Sequence, residues 1–201
     1  MSGFKEYWAR QFGRPEGFGG RIAAFLMNRM NREMYAAVEE HVPKGGTCLE
    51  IGFGNGVLLK HLLKSSEAVF YGVEISSGMM TAAAKRNNKA ISEGRLTLSE
   101  GSADAIPFEQ EFDIVYTVNT IYFWPDLNAG LKEIFSNLRP GGIFLNVAYT
   151  KEWLDRSSYT EYGFRKYTPA ELIAAAEENG FSAEEIKIRD GRSYAVKAIK
   201  R

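Results

Sequence analysis

At 201 residues, 45% of them apolar and 25% charged, the chain is long enough to bury the core of one domain and has the balance of an ordinary soluble protein. Its formal net charge is zero, which removes the electrostatic pull toward nucleic acid or anionic lipid. Its single cysteine, Cys48, excludes an internal disulfide and a cysteine-based metal cluster. No apolar run nears the roughly 20 residues that span a bilayer. The N-terminus mixes Lys5, Glu6 and Arg10 with aromatics where an apolar signal core would stand, so the expectation is a cytoplasmic protein with no membrane partner.

Residues 1–20 carry Phe4, Tyr7, Trp8, Phe12 and Phe18 among glycines and Pro15. Such a segment is too apolar for a free tail. Two readings stay open: a structural arm packed on the domain, or a cover over a ligand site. Residues 21–42 read as a helix, with Ile22, Phe25, Leu26, Met30, Met34 and Val38 mostly at steps of three or four. Pro43-Lys44-Gly45-Gly46 ends it. Thr47 to Ile51 is a short buried strand and Val57 to Leu63 a helix, separated by Gly52, Gly54 and Gly56 at alternate positions. Glycine lets a ligand lie against bare backbone, and the helix N-terminus beyond offers free N–H groups and a partial positive charge.

A second apolar strand, Val69 to Val73, ends in Glu74, 18 residues after Gly56. That is the usual distance for a carboxylate that accepts hydrogen bonds from a ribose. Ser76 or Ser77 caps a helix to about Glu93, stopped by Gly94. Arg95 to Glu100 and Phe112 to Val118 are the third and fourth strands. Asp126 caps a helix from about Leu127 to Leu138, and Arg139-Pro140-Gly141-Gly142 turns into a fifth strand, Ile143 to Ala148. Residues 150–166, aromatic and polar, read as an insertion near the C-terminal edge of the strands. Thr168-Pro169-Ala170-Glu171 has the spacing of a capping box for a helix to Asn179. Glu184 to Arg189 and Ser193 to Lys200 flank the hairpin turn Asp190-Gly191. The strand–helix alternation predicts an α/β fold with a mostly parallel sheet covered on both faces.

Leu49-Glu50-Ile51-Gly52-x-Gly54-x-Gly56 followed by Gly72-Val73-Glu74-Ile75-Ser76 resembles the class I S-adenosylmethionine-dependent methyltransferases, and within them the small single-domain type 11 group. The later glycine of the dinucleotide fingerprint Gly-x-Gly-x-x-Gly is missing. The resemblance runs to about residue 200. It implies a Rossmann-like doubly wound sheet of order 3-2-1-4-5-7-6 with an antiparallel strand 7. It also implies one domain over residues 1–201: an aromatic arm and helix (1–43), a cofactor-binding core (44–149), and an insertion, helix and hairpin (150–201).

The same resemblance implies roles at the strand ends. Gly52, Phe53, Gly54 and Gly56 take the amino-acid and ribose parts of S-adenosylmethionine. Glu50 orients that loop or meets the ligand's ammonium. Glu74 accepts from the ribose hydroxyls, and Ile75 packs on the adenine. Met79 is core first and an adenine contact second. Ser102-Ala103-Asp104 resembles the adenine-edge stretch, with Asp104 accepting from the exocyclic amine. Asn119 lies near the methionine part and the acceptor. Asn119-Thr120-Ile121-Tyr122 keeps the Asn-x-x-Tyr spacing of amino methyltransferases but lacks their two prolines. With the neutral charge, this points away from nucleic acid and toward a small-molecule acceptor.

Methyl transfer requires little covalent help, because the sulfonium already activates the methyl group. No catalytic base stands out: His41 sits at a helix end and His61 in the helix after the glycines. Tyr7, Tyr122, Asn119 and Trp124 are the pocket candidates, no metal ligand set is seen, and the oligomeric state is open. Two alternatives share part of the pattern: a nicotinamide-dependent (NAD or NADP) oxidoreductase, and a protein that holds S-adenosylmethionine without transferring its methyl group.

Overall fold

The structure, a computed structural model, describes residues 31–156, 158–161 and 163–201. The expected arm at residues 1–20, with Tyr7, and the first part of the expected helix at 21–42 lie outside these residues. The described part of that helix is α1, Arg32–Glu39, whose Met34 and Val38 are fully buried.

The next stretch follows the expected rhythm. Strand β1 (Thr47–Ile51) leads into α2 (Val57–Ser65), and β2 (Val69–Glu74) into α3 (Ser77–Arg86) and α4 (Asn88–Ser92). Strands β3 (Leu96–Glu100) and β4 (Phe112–Val118) come next, then α5 (Leu127–Asn137) and β5 (Leu138–Tyr149). Beyond them are α6 (Lys151–Asp155), a single 3₁₀ turn at Ser158–Glu161, α7 (Pro169–Glu178), β6 (Phe181–Lys187) and β7 (Ser193–Lys200).

The seven strands form one sheet in the order β3-β2-β1-β4-β5-β7-β6. Neighbours pair in parallel except at β7, which is antiparallel to both β5 and β6. This is the Rossmann-like arrangement expected. Consecutive strands first build outward on one side of β1, and the chain then crosses to β4 on the other side. The order therefore reverses between β1 and β4, where open sheets of this kind leave a crevice at the strand C-terminal ends.

Local chemistry accounts for the element ends. The Ser76 hydroxyl accepts from Met79 N at 3.4 Å and the Asp126 carboxylate from Ala129 N at 3.0 Å, which fixes the starts of α3 and α5. At α7 the capping box is complete: Thr168 Oγ1 accepts from Glu171 N at 3.3 Å, and Glu171 Oε2 accepts from Thr168 N at 2.7 Å. Thr168 N and, at 2.9 Å, the Thr168 hydroxyl both donate to Glu171 Oε2, and together they hold the exposed Glu171 carboxyl below its ordinary value.

Three expected boundaries are corrected. The single helix to Glu93 is two helices broken at Asn87. The Asn87 amide leaves the helical pattern to donate to Gly56 O at 3.1 Å and Ala83 O at 3.0 Å, tying α3 to the start of α2. The turn Arg139–Gly142 belongs to β5, because Phe112 pairs with Leu138 before a register shift restores pairing at Ile114 and Ile143. Gly142 permits that bulge: a Cβ there would lie 2.8 Å from Arg139 O and 3.1 Å from Phe112 O. The last hairpin also begins earlier than expected, at Phe181, and its first strand ends at Lys187.

Candidate functional site

A cavity of about 220 Å³ opens at the C-terminal ends of β1, β2 and β4. Its floor is the turn after β1. Gly52, Gly54 and Gly56 all have left-handed backbone, with φ of 72°, 53° and 70°. Each successive glycine bends the chain tightly enough for α2 to start at Val57. Gly52 lies so close to Thr120 that a Cβ would sit 2.4 Å from its Cγ2, whereas nothing lies within 4 Å of a Cβ position on Gly54. The loop is thus packed from behind at Gly52 and open at Gly54, which faces the cavity.

Glu74, at the end of β2, holds this loop. Its Oε2 accepts from Gly54 N at 2.8 Å and its Oε1 from Ser76 N at 3.0 Å. One carboxylate therefore joins the glycine turn to the start of α3, and it is only 6% exposed. Charge-assisted bonds of this kind are about twice as strong as neutral ones. Ile75 beside it is 44% exposed and lines the cavity.

Glu50, one residue from the end of β1, is buried and accepts from the Tyr116 hydroxyl at 3.2 Å. Burial raises its carboxyl to about 8, against the smaller opposing effect of that hydrogen bond; the nearby Glu74 charge raises it further. Phe53, Met79, Ser102 and Ala103 also line the cavity. Met79 is both core and wall, at 4% exposure.

Three expected site residues stand elsewhere. Gly56 is absent from the wall; it packs α2 against α3, where a Cβ would lie 2.7 Å from Asn87 Nδ2 and 2.8 Å from Ala83 Cβ. Asp104 is exposed beyond the wall, and its carboxylate accepts from the Ser102 hydroxyl. Tyr122 is buried behind the wall.

Asn119 does line the cavity, but its amide is already committed. Its Nδ2 donates to Asn31 Oδ1 at 3.0 Å and to Met34 Sδ at 3.2 Å. Its Oδ1 accepts from the Tyr122 hydroxyl at 3.0 Å and from Tyr149 N at 3.2 Å. The Tyr149 hydroxyl donates to Asn31 Oδ1 at 2.9 Å, closing a buried network. Asn119 reaches this position through a left-handed backbone, φ 58°, which asparagine tolerates better than most residues. Asn31 occupies the N-cap position of α1 without capping it, because its side chain is spent on this network. The network thereby anchors α1 over the ends of β4 and β5 and brings Tyr35 of α1 to the cavity.

Deleting only the Tyr122 hydroxyl tests the network. Tyr122→Phe removes a donor to Asn119 while Tyr149 N keeps the Asn119 acceptor. The expected loss is about 1–2 kcal/mol of stability, measured by urea unfolding. An unchanged midpoint would show that the network adds no net stability.

The remaining wall is aromatic. Phe123, Trp124 and Pro125 follow Asn119. The Trp124 indole donates to Thr120 Oγ1 at 3.2 Å, and Arg165 donates to the carbonyls of Trp124 and Pro125. Gly130 lets the indole ring approach α5, since a Cβ there would lie 2.8 Å from Trp124 Cε3. Neither histidine reaches the cavity: His41 pairs with Ala37 O at 2.9 Å and His61 with Glu39 Oε2 at 2.7 Å. Cys48 is fully buried, and burial pushes its thiol up to about 12, so it is inert near neutral pH. Asn31 and Tyr35 were not singled out from the sequence, since the α1 stripe signals only core, and neither was Phe123, which belongs to no motif.

Comparison with known proteins places this geometry. Residues 49–146 match a family model described as a methyltransferase domain. The uncharacterized methyltransferase YdaC of Bacillus subtilis is 30% identical over 125 residues, covering 60% of this chain and 67% of that protein. The chain belongs to the class I S-adenosylmethionine-dependent methyltransferase family. Longer relatives named as malonyl-[acyl-carrier protein], sterol and fatty-acid methyltransferases match over only 34%, 33% and 43% of their own length. Solved structures agree in fold. A methyltransferase solved with the Haloferax volcanii Trm112 activator superposes with a TM-score of 0.79 at 19% identity, over 97% of this chain and 96% of that one. A geranyl diphosphate methyltransferase bound to S-adenosylmethionine gives 0.73 at 15% identity, over 95% and 94%.

Proposed function

We propose that this chain transfers a methyl group from S-adenosylmethionine to a small, partly apolar acceptor. The observation that carries the reading is that one cavity is lined both by the Gly52–Gly54 turn with Glu74 and by the uncharged wall of Tyr35, Phe123 and Trp124. The first half fits an adenosyl compound: open backbone at Gly54, a buried carboxylate at Glu74 and a bare apolar surface at Ile75. Bound there, S-adenosylmethionine would supply a methyl group on a positively charged sulfur.

In this reading Glu74 accepts from the ribose hydroxyls while keeping the glycine turn in place. Ile75 and Met79 pack on the adenine, Ser102 and Ala103 border it, and Glu50 faces the amino-acid end. Asp104 serves the adenine edge from the rim. Asn119 is a positioning residue: it sets α1, and with it Tyr35, against the strand ends. Tyr35, Phe123 and Trp124 orient the acceptor and exclude water, which is most of what methyl transfer asks of a protein. Family membership favours this reading over a nicotinamide-dependent oxidoreductase. The single inert thiol suits the reducing cytoplasm.

Transfer of a labelled methyl group from the cofactor to a metabolite extract tests the reading. It is run with and without a protein extract, since one structural neighbour was solved with an activator. Label appearing in a low-molecular-weight apolar product is expected. Cofactor binding with no label transferred under either condition would favour a binding protein instead.

A further inference from the structure

The turn after β1 is gripped from outside the cavity by two neighbouring residues at the end of α3. Arg86 Nη1 donates to Asn55 O, and Asn87 Nδ2 donates to Gly56 O at 3.1 Å. On a regular helix adjacent side chains do not face the same neighbour. Here Asn87 has left helical backbone, with φ −114° and ψ 21°, and α3 breaks at that point. The two bonds complete a set. Glu74 Oε2 accepts from Gly54 N at 2.8 Å, and Phe53 O accepts from Gly56 N at 3.0 Å. A trans peptide points its C=O and N–H in opposite directions. Arg86 and Phe53 therefore hold the Asn55–Gly56 peptide at both ends.

Arg86 is not required for the contact between α2 and α3, which Gly56, Ala83 and Asn87 already make. Nor does it line the cavity, whereas Asn55 does. Its charge is not spent on an acid: among the described residues no Asp or Glu forms an ion pair with it. What its bond controls is the orientation of a peptide with glycine on both sides of Asn55. Gly54 and Gly56 have left-handed backbone here, and glycine adopts negative φ about as readily. A turn so built keeps one shape only if its peptides are tied.

We propose that Arg86 is a positioning residue for ligand binding: acting through Asn55, it keeps the glycine turn in the shape that receives an S-adenosyl compound, without touching that compound. This rests on the reading that such a compound occupies the cavity. Without the bond the turn spreads over several shapes, only a fraction of them competent, and the apparent affinity falls by that fraction. Charge-assisted bonds are the strong ones, so the expected loss on replacing Arg86 by an uncharged side chain is about tenfold. Kinetics separate this from a lost contact. A smaller competent population lowers the association rate and leaves the dissociation rate as it was. A lost contact raises the dissociation rate.

Stopped-flow binding of S-adenosylhomocysteine to wild type, Arg86→Met and Arg86→Lys tests this, with Trp124 in the cavity wall as a fluorescent reporter. Binding to Arg86→Met about tenfold weaker, through slower association at an unchanged dissociation rate, is expected. Arg86→Lys keeps a charged donor, and the bond it replaces is not bidentate, so it should bind within about threefold of wild type. Wild-type affinity in Arg86→Met would overturn the proposal, even with a lowered urea midpoint, and leave Arg86 a purely structural role. Faster dissociation at an unchanged association rate would overturn it by placing Arg86 on the ligand. Equal losses in Arg86→Met and Arg86→Lys would overturn it by taking the bond to Asn55 O out of the account. Should Arg86→Met fail to fold, Arg86→Gln, which keeps a neutral donor, replaces it under the same expectations in smaller measure. A wild type that does not bind S-adenosylhomocysteine would bring down the cofactor reading and this proposal together. Wild-type binding unaltered by the substitutions sinks this proposal alone.

Discussion

Gly56→Ala is expected to destabilise the protein by about 2–5 kcal/mol, through two costs that add. Holding a non-glycine residue in the left-handed region costs about 1–2 kcal/mol, and Gly56 has φ 70°. Overpacking a filled contact costs about 1–3 kcal/mol more. Here the added methyl would lie 2.7 Å from Asn87 Nδ2, 2.8 Å from Ala83 Cβ and 3.1 Å from Ala83 Cα. Asn87 can rotate only by giving up its bonds to Gly56 O and Ala83 O. Backbone at Ala83 can retreat only by lifting α3 from α2. Thermal and urea unfolding measure the loss. Gly54→Ala is the internal comparison, because its Cβ meets nothing within 4 Å and only the left-handed cost remains. Equal losses at the two positions would remove Gly56 from the helix contact assigned to it.

Glu74→Ala is expected to weaken S-adenosylhomocysteine binding by about tenfold to a hundredfold, because hydrogen bonds to a charged group contribute roughly 1.5–3 kcal/mol. The structure adds a second effect. The same carboxylate accepts from Gly54 N and Ser76 N, so its removal leaves two backbone donors at the cavity edge without their acceptor. Melting temperature of the ligand-free protein should therefore fall as well, by the equivalent of about 1–3 kcal/mol. A loss of affinity with unchanged melting would mean that Glu74 meets only ligand. A loss of melting with unchanged affinity would take it out of the binding site.

The sheet was legible in the sequence because its central strands are nearly continuous apolar runs. Thr47–Ile51 and Phe112–Val118 have the boundaries that hydrophobicity alone predicts, and the topology followed from the alternation and the family resemblance. The glycine turn and Glu74 were legible for a different reason: few sequences place three alternating glycines between a strand and a helix. What stayed hidden depends on side chains meeting over long separations. Asn87 breaks a helix by bonding to Gly56, 31 residues away. Asn119 bonds to Asn31, 88 residues away, and Tyr149 to Asn31 across 118. No local periodicity reports such pairs. The Arg139–Gly142 segment misled for a related reason. Pro and Gly signal a turn, and only the neighbouring strand shows that the ladder resumes through a bulge.

The same distinction explains the site. Residues at strand ends were found because topology places them there, and Glu50, Gly52, Phe53, Gly54, Glu74, Ile75, Met79, Ser102, Ala103 and Asn119 do surround one cavity. Asn31 and Tyr35 were not found, because their role comes from where the Asn119 network docks α1. Asn119 itself was read as a ligand contact, yet its donors and acceptors are all engaged within the protein. In the proposed reading its influence on an acceptor passes through the wall it positions.

The proposed function holds that the cavity at the C-terminal ends of β1, β2 and β4 takes an S-adenosyl compound. Calorimetric titration of the purified chain with S-adenosylmethionine, S-adenosylhomocysteine, NADH and NADPH tests it most directly. The account predicts saturable binding of both S-adenosyl compounds and none of either nicotinamide cofactor. Tight binding of NADH with no response to S-adenosylhomocysteine would contradict it.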